Sequence, residues 1–130
     1  MNDKNSSKTS LWIGRILSGL VIAFLLFDVW GKLAELEIVL KTMDELGIPG
    51  SLSITIGTIL LVITILYAIP NTSALGALLL TGYLGGAVAI HVRVGNPLFS
   101  HTLFPVYVGI LLWVGLALRN RKVKDLFWIL

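Results

Sequence analysis

The chain is dominated by four apolar blocks, each close to the length of a membrane-spanning helix. They cover about residues 11–33, 52–69, 73–94 and 103–118. A helix needs about 20 apolar residues to cross a hydrocarbon core about 30 Å thick. Only 13% of the 130 residues are charged, whereas soluble domains carry about 25%. The sequence therefore predicts an all-α integral membrane four-helix bundle that forms a single domain over residues 1–130.

The first block resembles a secretory signal peptide at its start, because Lys4 and Lys8 precede the apolar run. It is longer than the apolar region of a signal peptide, and no Ala-x-Ala-like cleavage site follows Phe27. We expect this block to stay in the protein as its first membrane helix.

The distribution of basic residues predicts the orientation of the bundle. Lys4, Lys8 and Arg15 lie at the start of the first span, and a basic cluster from Arg119 to Lys124 follows the fourth. The loop after the first span is mostly acidic. By the positive-inside rule both termini face the cytoplasm. The position of the basic residues at the cytoplasmic ends of the spans accounts for the excess of Lys and Arg. We therefore expect no nucleic-acid partner.

The loop between the first two spans has a helical pattern of its own over residues 35–47. Its apolar residues recur every three or four positions: Leu36, Val39, Leu40, Met43 and Leu46. This pattern predicts an amphipathic helix that lies along the outer membrane surface. The alternative is a lid over the bundle.

Gly82 and Gly86 form a small-xxx-small pair in the glycine-rich third span. Such pairs allow two helix backbones to approach closely in lipid. We expect this pair to pack tightly against another helix of the same chain. The alternative is homodimerisation through the same stripe.

Five ionisable residues are predicted to lie at one level, near the outer ends of the spans. They are Asp28, Lys32, His91, Arg93 and His101. The inner halves of the spans contain fewer polar and ionisable residues. Ionisable groups in membrane helices are costly and usually functional. We therefore predict one outward-facing polar site that binds a quinone, an anion or a lipid headgroup.

A purely structural interpretation of these residues stays open. Asp28 and Lys32 are four residues apart, so they share a helical face and can form an ion pair. Asp28 could pair with Arg93 instead, and either pair would fix the register of the helices. His91 and Arg93 are about 200° apart around a helix, so both cannot point fully inward.

Metal chemistry receives little support from the sequence. The chain has no cysteine, which excludes iron–sulfur clusters and thiolate metal sites held by this chain alone. A haem between His91 and His101 is conceivable because imidazole is a common axial ligand. The chain offers only this one pair of histidines, so we predict no metal site and do not expect a haem.

Two segments carry a resemblance to a known family. Residues 28–33 (Asp-Val-Trp-Gly-Lys-Leu) end the first span, and residues 78–97 contain the glycine-rich third span with its histidine and the Arg-Val-Gly-Asn-Pro that follows. In these segments, and in the Leu-Gly-Ile-Pro of residues 46–49, the chain resembles the DoxX-like family of small four-helix bacterial membrane proteins. The likeness extends from residue 15 to about residue 119.

The resemblance implies a multi-pass protein of the bacterial cytoplasmic membrane that is associated with redox metabolism. The resemblance supports an association with redox metabolism better than it supports an enzymatic activity of this chain. Whether the chain is catalytic stays open. Our leading hypothesis is a role in quinone-linked electron transfer, in which Lys32, His91 and Arg93 contact a quinone carbonyl or an anion. Asp28 or His91 would handle protons.

Two alternatives use the same features. The protein could be a non-catalytic assembly or scaffold subunit of a redox complex, or it could be a small transporter or lipid-binding protein. A bundle of four helices is small for a transporter unless it forms a homo-oligomer.

Overall fold

The computed structural model describes residues 3–129, with side chains over residues 8–127. Lys4, one of the basic residues that predict the orientation, lies outside the residues whose side chains are described. The described helices are α1 (Asp3–Leu33), α2 (Glu37–Glu45), α3 (Ser53–Ala68), α4 (Ser73–Val94), α5 (Phe104–Arg119) and α6 (Arg121–Ile129).

Four helical segments are long and apolar enough to cross a membrane. They are Lys8–Leu33, Gly50–Ala68, Ser73–Val94 and Leu98–Arg119. No strand occurs between residues 3 and 129. The predicted all-α four-helix membrane architecture is therefore confirmed.

The four long helices form a ring in the order α1, α3, α4, α5. Helix α1 packs against α3 and α5, and α4 closes the ring by packing against the same two helices. The centre of the bundle is filled by leucines, of which Leu60, Leu80, Leu112 and Leu116 are fully buried. Many large apolar side chains remain exposed on the outer faces of the helices. Such faces suit a bundle that is surrounded by lipid, because lipid tails are as apolar as these side chains.

The closest contacts between helices occur at glycines other than Gly82 and Gly86. A Cβ built at Gly115 of α5 would lie 2.8 Å from the Ser18 hydroxyl of α1, and one built at Gly14 would lie 2.8 Å from the Gly115 carbonyl. At Gly76 of α4 the added Cβ would lie only 2.2 Å from the main-chain nitrogen of Tyr67. These positions bring backbones together because no side chain separates them.

Gly82 and Gly86 do not make the tight contact within one chain that their spacing led us to expect. A Cβ added at either residue would meet no atom within 4 Å. Both glycines are exposed and line an open cavity between the helices. The stripe of small residues therefore borders open space and not a neighbouring helix.

The fourth span begins earlier than the predicted residue 103. A π-helical turn over Leu98–Thr102 precedes α5. The main-chain amides of His101 and Thr102 both donate to the Pro97 carbonyl, at 3.2 and 3.1 Å. His101 therefore lies in a helical turn, next to the end of α4.

Candidate functional site

A cavity of about 630 Å³, which we call the bundle cavity, occupies the end of the bundle at which α2 lies. Its walls come from α1, α2, α4 and the first turns of α5, and Ile56 of α3 contributes one side chain. Most of the lining is apolar. The polar side chains in the lining are Asp28, Lys32, Thr42, Tyr83 and His91.

Asp28 and Lys32 form an ion pair on the wall of the bundle cavity. The Lys32 ammonium lies 2.5 Å from Asp28 Oδ1, and the two side chains are 14% and 32% exposed, Lys32 being the less exposed. Residues four apart on a helix are neighbours, which allows the contact. Within residues 8–127 this is the one ion pair that the structure contains. Lys32 thus points back along α1 toward Asp28 and does not extend outward.

The position of Lys32 is fixed from the side of α3. The Ser53 hydroxyl donates a 2.8 Å hydrogen bond to the Lys32 carbonyl. A Cβ at Gly57 would lie 2.9 Å from Lys32 Cβ, so the two helices are in close contact there. The end of α1 is therefore held against α3, and the ammonium is held at the cavity wall.

His91 reaches the cavity from the last turn of α4, and its ring is oriented by the way that this helix ends. The amide of Gly95 donates to the Val92 carbonyl and that of Asn96 to the His91 carbonyl, both at 3.1 Å. This pair of bonds is a Schellman motif, and it requires a left-handed residue, here Gly95 with φ of 75°. The motif folds Asn96 back beside His91.

The Asn96 side chain then determines which nitrogen of His91 carries the proton. Asn96 Nδ2 lies 2.8 Å from His91 Nδ1. An amide NH₂ can only donate, so Nδ1 accepts. In this arrangement Nε2 is the ring nitrogen that carries the proton of the neutral imidazole.

His101 lies beside this site without lining the cavity. Its ring centroid is 6.2 Å from that of His91, and the two ring planes meet at 69°. The Ser100 hydroxyl lies 2.8 Å from His101 Nδ1. Over the part of the chain with described side chains, no group of three or more His, Cys, Asp or Glu could hold a metal ion.

Arg93 does not line the bundle cavity. Its Nη2 donates a 2.6 Å hydrogen bond to the carbonyl of Leu46, the residue that ends α2. The guanidinium also packs against Gly47, where a Cβ would lie 2.8 Å from Nη2. Arg93 therefore ties the α2–α3 connection to the end of α4, two residues after His91.

The structure adds Tyr83 and part of α2 to the residues that the sequence indicated. Tyr83 is half-buried and lines the cavity. Its spacing was visible in the sequence, because Tyr83, Ala87 and His91 follow one another at intervals of four along α4. Met43 of α2 is buried and also lines the cavity, so α2 covers the site with its apolar face.

A second polar cluster, at the end of the bundle away from α2, was missed by the sequence analysis. Arg119 donates from Nε to the Ser18 hydroxyl at 2.9 Å and from Nη2 to the Tyr67 carbonyl at 2.8 Å. The Tyr67 hydroxyl donates to the Leu112 carbonyl at 2.6 Å. This cluster joins α1, α3 and α5. Its members are scattered over the sequence, and only the contacts between their side chains reveal the connection.

The bundle cavity has the chemistry of a site for an amphiphile. Ligand pockets are typically about 300–1,000 Å³, mostly apolar, and fitted with a few polar groups that orient the ligand. The bundle cavity meets this description, with Asp28, Lys32 and His91 supplying the polar groups. A molecule with an apolar body and a small polar head can satisfy both parts of the lining.

The comparisons with known proteins identify the family but no individual relative. A family model described as the DoxX-like family matches residues 16–115, which is most of the chain. Comparison with curated proteins and with solved structures gave no match. The matched segment contains α2, α3 and α4 in full and most of α1 and α5. With four helices that can span a membrane, this chain is a small multi-pass membrane protein that belongs to the DoxX-like family.

Proposed function

We propose that this protein acts in quinone-linked redox metabolism in the bacterial cytoplasmic membrane, where it binds a quinone in the bundle cavity. The observation that supports this function is the combination, in one cavity, of an apolar lining with the Asp28–Lys32 pair and His91. The termini would face the cytoplasm and the α2 end would face outward.

A quinone matches both parts of this cavity. Its isoprenoid tail is apolar and suits the lining, which includes Leu25, Met43 and Val108. Its ring carries carbonyl oxygens that accept hydrogen bonds. Lys32 has N–H groups beyond the one that it gives to Asp28, and His91 carries a proton on Nε2, so both residues can donate to a carbonyl.

The chain supplies binding and proton-handling groups for such a reaction. Reduction of a quinone to the quinol takes two electrons and two protons. Among the ionisable groups at the cavity wall, we assign proton exchange to Asp28 and His91. A partner oxidoreductase subunit would supply the electrons, which makes this protein the quinone-binding member of a membrane complex.

The test uses two adjacent glycines of α4 that face different spaces. Gly86 lines the bundle cavity, whereas Gly85 lines an apolar groove between α4, α5 and α6. An added Cβ would meet no atom within 4 Å at either glycine, so both positions leave the start of a larger side chain unobstructed. Gly86→Phe fills the cavity and Gly85→Phe is its matched control.

The protein is purified in a mild neutral detergent, extracted with organic solvent, and the extract is analysed for quinones by mass spectrometry. We expect quinone with the wild type and with Gly85→Phe, and a loss of at least ten-fold with Gly86→Phe. A wild-type extract without quinone, together with no binding of added decylubiquinone, would overturn the proposal.

A further inference from the structure

The ionisable side chains Asp28, Lys32 and His91, which form what we call the polar end of the bundle cavity, carry no net charge together. The Lys32 ammonium and the Asp28 carboxylate neutralise each other at 2.5 Å. The hydrogen bond from Asn96 to Nδ1 favours the neutral form of His91, which adds no charge. Arg93, a further cation near this cavity, does not line it, and its guanidinium donates to the Leu46 carbonyl.

We propose that Asp28 sets the specificity of the cavity, so that it takes neutral amphiphiles with a carbonyl head and excludes anionic ones. This inference rests on the proposed function insofar as both place the ligand in the bundle cavity. It goes further by assigning the selection between ligand classes to one carboxylate.

The hydrogen-bonding groups at this end explain why a carbonyl is accepted. Lys32 uses one of its three N–H groups on Asp28 and keeps two. His91 offers Nε2–H. A neutral carbonyl oxygen can accept from these donors without changing the charge of the site.

An anionic head is disfavoured by the same arrangement. It would compete with Asp28 for Lys32 and would leave two negative groups beside one cation. Unbalanced charge is expensive in a largely apolar cavity, where the effective dielectric constant is far below that of water. Without the Asp28 carboxylate, Lys32 would be an unpaired cation and would attract the anion.

The test compares two probes with the same chain length, dodecanamide (neutral) and dodecanoate (anionic), alongside decylubiquinone. Binding to the purified protein in neutral detergent is measured by equilibrium dialysis. Only binding that Gly86→Phe abolishes is counted as binding in the cavity. For the wild type we expect dodecanamide to bind at least ten-fold more tightly than dodecanoate.

Asp28→Asn should raise the affinity for dodecanoate by at least ten-fold and leave that for dodecanamide within about three-fold. Asp44→Asn is the matched control, because it changes the net charge equally at an exposed position of α2 that does not line the cavity. It should leave both affinities unchanged. The preference of the wild type for dodecanamide over dodecanoate tests the proposal even if Asp28→Asn does not fold.

The outcomes separate this inference from the proposed function. If decylubiquinone binds but the wild type holds dodecanoate as tightly as dodecanamide, Asp28 does not select and the inference is wrong, while the proposed function stands. The same conclusion follows if Asp28→Asn and Asp44→Asn behave alike. If dodecanamide binds selectively and decylubiquinone does not bind, the proposed function fails and the charge selection stands. Failure of all three probes to bind in the cavity overturns both.

Discussion

The Tyr67 hydroxyl donates a 2.6 Å hydrogen bond to the main-chain carbonyl of Leu112, deep between α3 and α5. Because this proton is committed to Leu112, the Ser18 hydroxyl donates to the Tyr67 oxygen at 3.1 Å and itself accepts from Arg119. The arginine also stacks on the Tyr67 ring, with 4.9 Å from its Cζ to the ring centroid. Four groups thus form one directed chain of hydrogen bonds across three helices. Such chains are strengthened by mutual polarisation in a medium of low dielectric constant.

Removal of the Tyr67 hydroxyl should destabilise the bundle. In Tyr67→Phe the Leu112 carbonyl and the Ser18 hydroxyl lose a partner, and interhelical hydrogen bonds in membranes contribute about 0.6 kcal/mol on average and up to about 1.7. We expect a loss of about 1–2 kcal/mol, measured by unfolding with SDS in mixed micelles. Tyr107→Phe is the control, because Tyr107 is exposed and donates only to the nearby Phe99 carbonyl. Equal losses for the two variants would contradict the role of Tyr67.

Two glycines of α4 should respond oppositely to alanine. A Cβ at Gly76 would lie 2.2 Å from the Tyr67 nitrogen, so Gly76→Ala must push two backbones apart. Overpacking of this kind costs about 1–3 kcal/mol, and we expect the upper end of that range. Gly82→Ala meets no atom within 4 Å and should be neutral or slightly stabilising, because alanine favours the helix. The same SDS titration checks both variants, and a larger loss for Gly82→Ala would contradict the close contact between Gly76 and Tyr67.

Loss of the Arg93 guanidinium should loosen α2 selectively. Arg93→Gln removes the hydrogen bond to the Leu46 carbonyl that ties the end of α2 to α4. If that bond contributes about 1 kcal/mol, amide hydrogen exchange over Glu37–Glu45 should accelerate about five-fold. Exchange in α3 and α5 should stay unchanged. Lys41→Gln, at an exposed position of α2 itself, controls for the lost charge. A general acceleration throughout the bundle would show that Arg93 supports the whole fold.

Removing one partner of the Asp28–Lys32 ion pair should lower the free energy of unfolding more than removing both charges. In Lys32→Met the Asp28 carboxylate, only 32% exposed, loses its cation. A group that is left without its partner costs about 1–3 kcal/mol. The double variant with Asp28→Leu and Lys32→Met has no unpaired charge and should recover most of that stability. Thermal unfolding in detergent measures both, and a double variant less stable than Lys32→Met would contradict this expectation.

Much of the architecture could be predicted from the sequence because lipid imposes a simple rule. Every span must satisfy its own backbone and present apolar side chains, so hydropathy and length alone indicate four helices. The amphipathic pattern around Met43 likewise predicted a helix at the segment that forms α2. The pairing of Asp28 with Lys32 followed as one option from their spacing of four. These features depend on residues that are close in the chain.

Relationships between distant residues were decided only by the tertiary structure. The sequence could not show that the stripe of Gly82 and Gly86 borders a cavity, because the distance of the facing helices depends on how the whole ring packs. The spacing of His91 and Arg93 gave only the angle between their side chains around the helix. The direction that the Arg93 side chain takes depends on the position of the Leu46 carbonyl, which the sequence does not show.

The sequence by itself determined the class of the molecule, its spans and the residues from which a polar site could be built. The tertiary structure decided which of them share a cavity: Asp28, Lys32 and His91 line it, while Arg93 holds α2 and His101 lies alongside. The physical reason is that helix formation and membrane insertion depend on local apolar patterns. The position of a side chain within a bundle depends on contacts among helices that are far apart in the chain.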